Sequence, residues 1–349
     1  MEPILVVLGL VIVLAMILDV VRTTVTVDSG SGWVSGLLTR LVWEAVLRIS
    51  GSGIRRRMLR HAGIAISLGT IVLWIVMGWA GWSLVFQGGR DAVVVAATGQ
   101  PANALARVYF AGTTLFTLGL GDYEPQGLVW EAAAVLTAGS GLLLVTLSIA
   151  YLIPVAAAAT GKRQLAAYVS ALGTSPWDIL RHAWNGRDFH ALDPHLVALA
   201  PMLTILAQRH LAYPVLHYFH ATERHNASAP AIAALDEALG LLEHGVPAEV
   251  RPERLSLVTL RRAVWDYLET LDSTFLKPAP EPPPVASLQP LREAGIPALD
   301  DEVYTTALQG TERRRRLLAA LVVDDGYRWD EVLQPDPPEH LAPAEVERS

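Results

Sequence analysis

Apolar residues form three long blocks in the first half of the chain and thin to scattered, helix-spaced positions in the second. The first block, Pro3 to Val27, reads PILVVLGLVIVLAMILDVVRTTVTV; the second runs without a charge from Ala62 to Gly89 and the third from Ala132 to Gly161. A helix needs about 20 apolar residues to cross a bilayer, so each block predicts a membrane span. The first lacks a basic leader and an Ala-x-Ala cleavage site, and reads as a retained helix over 1–27 rather than a signal peptide. Asp19 and Arg22 within it stand three apart and predict a local ion pair. In the linker 28–60, Trp33 to Ser50 is apolar on one helical face with Arg40, Glu44 and Arg48 on another. That pattern predicts an amphipathic helix on the inner membrane surface or packed on a partner.

Between the second and third blocks the pattern breaks. Residues 102–115, ANALARVYFAGTTL, follow Pro101 and predict a helix too short to cross the membrane. Then comes FTLGLGDYEP, with Gly119 and Gly121 one residue apart and Asp122 beside them. A lone carboxylate in lipid costs on the order of 3 kcal/mol. Non-helical backbone at membrane depth survives where protein buries it or where it lines a wet cavity. The segment therefore predicts an extended loop along a water-filled path, with glycines supplying backbone angles that other residues resist. Close-packing glycines of a helix pair are the competing reading.

Composition sharpens this. The 349 residues are 52% hydrophobic and 17% charged, too apolar for a soluble chain of this length. The net charge of −7 is spread over both signs and gives no sign of nucleic-acid binding, and the absence of cysteine excludes disulfide and thiolate chemistry. No nucleophile elbow, metal signature or phosphate loop points to an enzyme. Arg40, Arg48, Arg55, Arg56, Arg57 and Arg60 precede the second span, and Lys162 and Arg163 end the third. By the positive-inside rule these flanks are cytoplasmic, which puts residues 90–131 and the N-terminus outside.

From residue 162 the chain reads as a soluble part. Prolines at 176, 194, 201, 214 and 230 divide the stretch to about Leu241 into short helical pieces of a cytoplasmic domain over 162–276. No strand followed by a G-x-G-x-x-G turn appears, so a nucleotide-binding domain is not expected and no regulatory ligand is legible. Residues 277–299 predict a proline-rich extended linker, 300–333 a C-terminal helical segment, and 334–349 a disordered tail. Eight of the ten histidines lie between His182 and His244. On one helix His210, His217, His220 and His225 would share a face suited to sensing pH or holding a metal, against the plainer reading of packing and surface roles. The run Arg313 to Arg316 suits anionic lipid or, more simply, a solvated or acid-paired helix face.

The stretch TLGLGDYEP, Thr117 to Pro125, resembles the selectivity filter of potassium channels, most closely the second pore loop of the two-pore-domain group. The resemblance implies an all-α membrane protein: a pore domain over 61–161 with outer helix 62–88, re-entrant pore helix 102–115, filter 117–122 and inner helix 128–161. It adds an N-terminal membrane helix and a helical cytoplasmic domain. It implies that potassium is held by carbonyls of Thr117, Leu118, Gly119 and Leu120, with Gly121 completing the filter. Tyr109 and Phe110 stand where the family has paired aromatics behind the filter, and Asp122 where a carboxylate supports it, with Tyr109 as its donor. Gly141 stands at the usual hinge of the inner helix, and Pro154 invites a kink nearer its end. One loop per chain implies a homotetramer in the lipid bilayer, conducting monovalent cations without a cofactor. Leu120 replaces the common tyrosine and Phe116 the usual threonine. The implied function is a potassium-selective channel; a weakly selective cation channel and a non-conducting sensor or scaffold are the alternatives.

Overall fold

The computed structural model describes residues 2–25, 32–49, 55–221, 223–273 and 275–335. The side chains of Arg48, Arg55, Arg56, Arg57 and Arg60, and residues 336–349 of the expected tail, lie outside what is described. In chain order the elements are α1 (Pro3–Val25), α2 (Trp33–Ile49), α3 (Arg55–Gln87), β1 (Val93–Val95), α4 (Ala104–Leu115), β2 (Tyr123–Pro125) and α5 (Leu128–Leu172). They continue with α6 (Pro176–Ala183), α7 (Asp193–Ala212), α8 (Ser228–Gly240), α9 (Arg254–Asp272), α10 (Gln289–Glu293), α11 (Asp301–Leu308), α12 (Glu312–Asp324) and α13 (Trp329–Leu333). The chain divides into two compact units, one of residues 1–48, 62–156 and 212–215 and one of the remainder. Among the described residues four helical stretches are long and apolar enough to cross a membrane: Pro3–Val25, His61–Gln87, Leu128–Leu172 and His190–Ala212. The last of these falls in the part read from sequence as soluble.

In the first unit α1 crosses α3 where both carry glycine. A Cβ on Gly81 would stand 3.0 Å from the Gly9 carbonyl oxygen, so small residues permit this backbone approach. Met16, Val20, Trp74 and Leu144 form one core cluster; Val13, Trp82, Phe86, Phe110 and Leu115 belong to a second. Asp19, expected to pair with Arg22, accepts from the backbone N–H groups of Val34 at 2.7 Å and Ser35 at 3.2 Å and from the Trp74 indole at 2.8 Å. A buried carboxylate needs donors, and the unpaired amides at the start of α2 supply them. The Arg22 guanidinium lies over the Trp33 ring at 5.5 Å.

A two-stranded antiparallel ribbon joins β1 to β2 with Val94 opposite Glu124, a short addition to a mostly helical chain. Two further expectations are corrected here. The inner helix does not end at Gly161 but continues to Leu172. The end of an uncharged run is not a helix stop; the stop comes at Gly173 and the Ser175 cap, whose hydroxyl accepts from the Asp178 N–H at 3.2 Å. Pro201 divides nothing, for α7 runs through it, while Pro176 and Pro230 sit in first turns where a missing N–H is harmless.

The second unit is built on α8, every residue of which is buried, with α6, α9, α12 and α13 around it. Asp236 and Glu237 on this central helix face the arginine run: Arg314 Nε donates to Asp236 at 3.1 Å and Arg315 Nε to Glu237 at 2.9 Å. Arg313 pairs with Asp272 at 2.9 Å, and Arg316 donates to the Ala279 carbonyl. The run is thus an acid-paired clamp. Arg261 joins it, bound to Asp236 and, at 2.7 Å, to Glu243. The proline-rich stretch is likewise no free linker. Arg315 Nη2 donates to the Pro284 carbonyl and Trp177 Nε1 to that of Ser287, and Ala286 and Leu288 are buried. Extended proline-rich backbone leaves its carbonyls unpaired, and donors distant in sequence satisfy them. The four histidines do not share a helix either: His210 is on α7, His217 in a 3-10 turn over Pro214–Tyr218 and His225 in another over Arg224–Asn226. Among the described residues no three or more His, Asp or Glu side chains form a group able to hold a metal.

Candidate functional site

The short helix α4 is set in place at both ends. Asn103 caps its start, its side chain accepting from the Ala106 N–H at 2.9 Å. Arg107, buried, donates from Nε to the Ala102 carbonyl at 3.0 Å and from its terminal nitrogens to the carbonyls of Gln87 and Arg90. One planar guanidinium thereby satisfies the last carbonyl of α3 and one in the loop beyond it, and ties α4 to both. Trp79 of α3 donates to the Val108 carbonyl at 2.8 Å. At the far end the chain leaves the helix through Thr117 N–H to Thr114 O at 2.9 Å and Leu118 N–H to Thr113 O at 2.8 Å.

Beyond it, backbone signs alternate. Thr117, Gly119 and Gly121 have φ of 55°, 57° and 80°, and among the described residues Thr117 is the single non-glycine residue with positive φ. Leu118 and Leu120 between them therefore do not. Successive residues of opposite hand turn their peptide planes alternately, which lines carbonyls along one side of the strand and N–H groups along the other. Holding Thr117 left-handed costs roughly 1–2 kcal/mol, and such strain concentrates at functional segments. A Cβ on Gly119 or Gly121 would meet nothing within 4 Å in its own chain. These glycines serve backbone angle, which disposes of the helix-packing reading. Leu118 is 59% and Leu120 61% exposed, so the segment has no cover from its own chain.

The segment's outer end is tied down. The Asp122 carbonyl accepts from the Ala96 N–H at 3.1 Å, extending the β1–β2 ribbon onto it. The Tyr109 hydroxyl faces the Asp122 carboxylate, and the Tyr109 ring meets that of Tyr123 edge-on at 5.9 Å. Phe110 turns the other way, edge-on to Phe86 at 5.1 Å in the core. Behind the segment lies a groove of about 200 Å³, lined by Tyr109, Thr113, Thr117, Leu120, Asp122 and Ala138 among others. Gly141 on α5 has a packing role: a Cβ there would collide with the Leu115 carbonyl at the end of α4. Ser140 beside it accepts from the Trp82 indole at 2.9 Å. Pro154 lies inside α5, where it leaves one carbonyl of the preceding turn without its helical donor.

In the second unit the buried acids are opposed by arginines. Burial alone would raise the Asp236 carboxyl, but Arg261 and Arg314 hold it below the usual carboxylate range; burial pushes Glu237 up against the pull of Arg315. Arg107 and the β ribbon are the structural supports of the site that sequence reasoning missed. The signal for Arg107 was an arginine on the otherwise apolar face of a short helix.

Residues 67–157 match a protein family described as an ion channel, an interval that takes in most of α3, α4, the loop after it and much of α5. The chain is 34% identical over 321 residues to the uncharacterized membrane protein YdjJ of Bacillus subtilis (strain 168), an alignment covering 92% of this chain and 94% of that one. No solved structure matches the chain.

Proposed function

Because the chain belongs to the ion-channel family with a potassium-channel-like pore, we propose that it conducts potassium passively through a filter assembled from four copies. The alternating backbone of Thr117 to Gly121 carries this reading. It supplies a row of carbonyls, those of Thr117, Leu118, Gly119 and Leu120, to replace the hydration shell of a bare cation, with the Thr117 hydroxyl at the inner end. One chain provides one such row. Left against lipid, each unpaired group would cost several kcal/mol, so the row belongs on a wet axis enclosed by further copies. Asp122 and Tyr109 support it from behind, Phe110 anchors the helix that carries Tyr109 in the core, and Gly141 and Pro154 are the candidates for movement in the inner helix. The basic flanks of the spans put the N-terminus outside and the second unit in the cytoplasm.

Leu120 favours a second reading, a weakly selective cation channel, because leucine has no hydroxyl to hold the filter wall beside the 200 Å³ groove. Bi-ionic recordings with potassium and sodium on opposite sides of a planar bilayer separate the two. The expected result is a reversal potential close to that of potassium, abolished together with the current by Gly119→Asp. Small, equal permeabilities would favour the second reading. A folded, assembled protein without current would leave the sensor or scaffold.

A further inference from the structure

The filter makes no use of the histidines, yet two of them enter a specific arrangement. A 3-10 turn at Pro214–Tyr218 follows α7. His217 Nε2 stands 2.9 Å from the Asp324 carboxylate, and His220 Nδ1 hydrogen-bonds that of Asp325, both acids lying where α12 ends. The two rings are 6.5 Å apart, and His217 stacks on Phe275 at 4.4 Å. Between the histidines, the Phe219 carbonyl accepts from Lys162 Nζ at 2.8 Å. Lys162 belongs to α5, the helix that also carries Ser140 and Gly141. The other titratable groups facing the cluster are His210 of α7, beside Lys162 and His217, Tyr267 of α9, beside Asp325, and Tyr218, edge-on to His217 at 5.4 Å.

A proton on His217 sets a second cation beside Lys162 where water is nearly excluded: the side chains of His217, His220 and Asp325 are 7%, 3% and 4% exposed, and only Asp324, at 28%, reaches the rim.

We propose that His217, His220, Asp324, Asp325 and Lys162 form a proton-binding latch that holds the Lys162 turn of α5 while His217 is neutral and releases it when His217 takes up a proton on acidification. Burial pushes the His217 imidazole below its ordinary 6.5, against the opposing hydrogen bond to Asp324. Burial alone would raise Asp324 and Asp325, but their hydrogen bonds to His217 and His220 hold both below the usual carboxylate range. The sign follows. An unfolded or released histidine takes its proton near 6.5, whereas latched His217 resists until lower pH. The latch is therefore at full strength above that value and weakens as pH falls below it, while the two carboxylates stay charged throughout.

The consequence for current rests on the channel reading; proton uptake does not. Thermal unfolding of the full-length protein in detergent and open probability in bilayers are measured from about pH 8 to about pH 5, the range in which histidine titrates. Wild type is expected to lose thermal stability below about pH 6.5 and to change open probability at least about threefold over the same interval. His217→Gln removes the step in open probability and reduces the step in stability, of which His210, also held down by burial, keeps a part. Asp324→Asn moves both to lower pH by about one unit, since it takes away the carboxylate that favours the His217 proton. Should His217→Gln fail to fold, Asp324→Asn decides alone. A merely structural role would lower stability equally at every pH; a step that stays put in Asp324→Asn, or is absent from wild type, overturns the proposal. A step in stability that moves as expected in a protein without current at any pH refutes the channel reading and leaves the proton site standing.

Discussion

Gly141 shows how one residue can carry two readings that a measurement separates. The resemblance makes it a hinge, while its surroundings make it the point where the end of α4 rests on α5, because a Cβ would collide with the Leu115 carbonyl. Backbone cannot give way as a side-chain tip can. Gly141→Ala is therefore expected to lower stability by about 2 kcal/mol, in the range of overpacked cores. Gly139→Ala, whose Cβ meets nothing within 4 Å of its own chain, is the matched control. Thermal unfolding in detergent checks the pair; a stable Gly141→Ala protein with altered gating would favour the hinge. Thr117 poses the opposite problem, since its neighbours do not explain its left-handed backbone and the line of carbonyls it begins does.

At the scale of elements, the clamp between α8 and α12 invites a test of buried charge. Arg315 neutralises Glu237, and both side chains are nearly closed to solvent, 5% and 3% exposed. Arg315→Met leaves the carboxylate alone and is expected to cost about 3–5 kcal/mol at neutral pH. Burial already raises the Glu237 carboxyl, so the folded variant takes up a proton more readily than its unfolded chain. Its deficit should accordingly shrink as pH falls, and Arg315→Met with Glu237→Gln should recover much of the loss; unfolding curves at two pH values check both. The elements also show what a sequence discloses. The spans α1, α3 and α5 were legible because length and apolarity are properties of a single stretch, and the loop at Gly119 and Gly121 because its backbone demands are local. The β1–β2 ribbon was not, since three residues on each side say little until they meet. The proline-rich stretch before α10 was misread because arginines distant in sequence cover it, whereas Pro214 was a local signal that His210 and His217 stand on separate turns.

For the whole molecule, α5 sets the scale. Its 45 residues at about 1.5 Å each make a helix of about 67 Å, more than twice the roughly 30 Å hydrocarbon core. A chain cut after Arg163 would end within this helix, so the informative truncation falls after Gly173. It removes Phe219, the acceptor of Lys162, together with His217 and Asp324. Such a chain is expected to keep its preference among ions while losing its pH response, as bi-ionic recordings at two pH values would show. The uncovered loop of the lone chain has a genetic corollary. On the proposed fourfold assembly each subunit contributes one wall of the same opening, so a single faulty wall spoils the whole. Equal expression of wild-type and Gly119→Asp chains would leave roughly one assembly in sixteen free of the defect, if the chains mix at random. The mutation should therefore behave as a dominant one, and half a dose of good protein should yield far less than half the current.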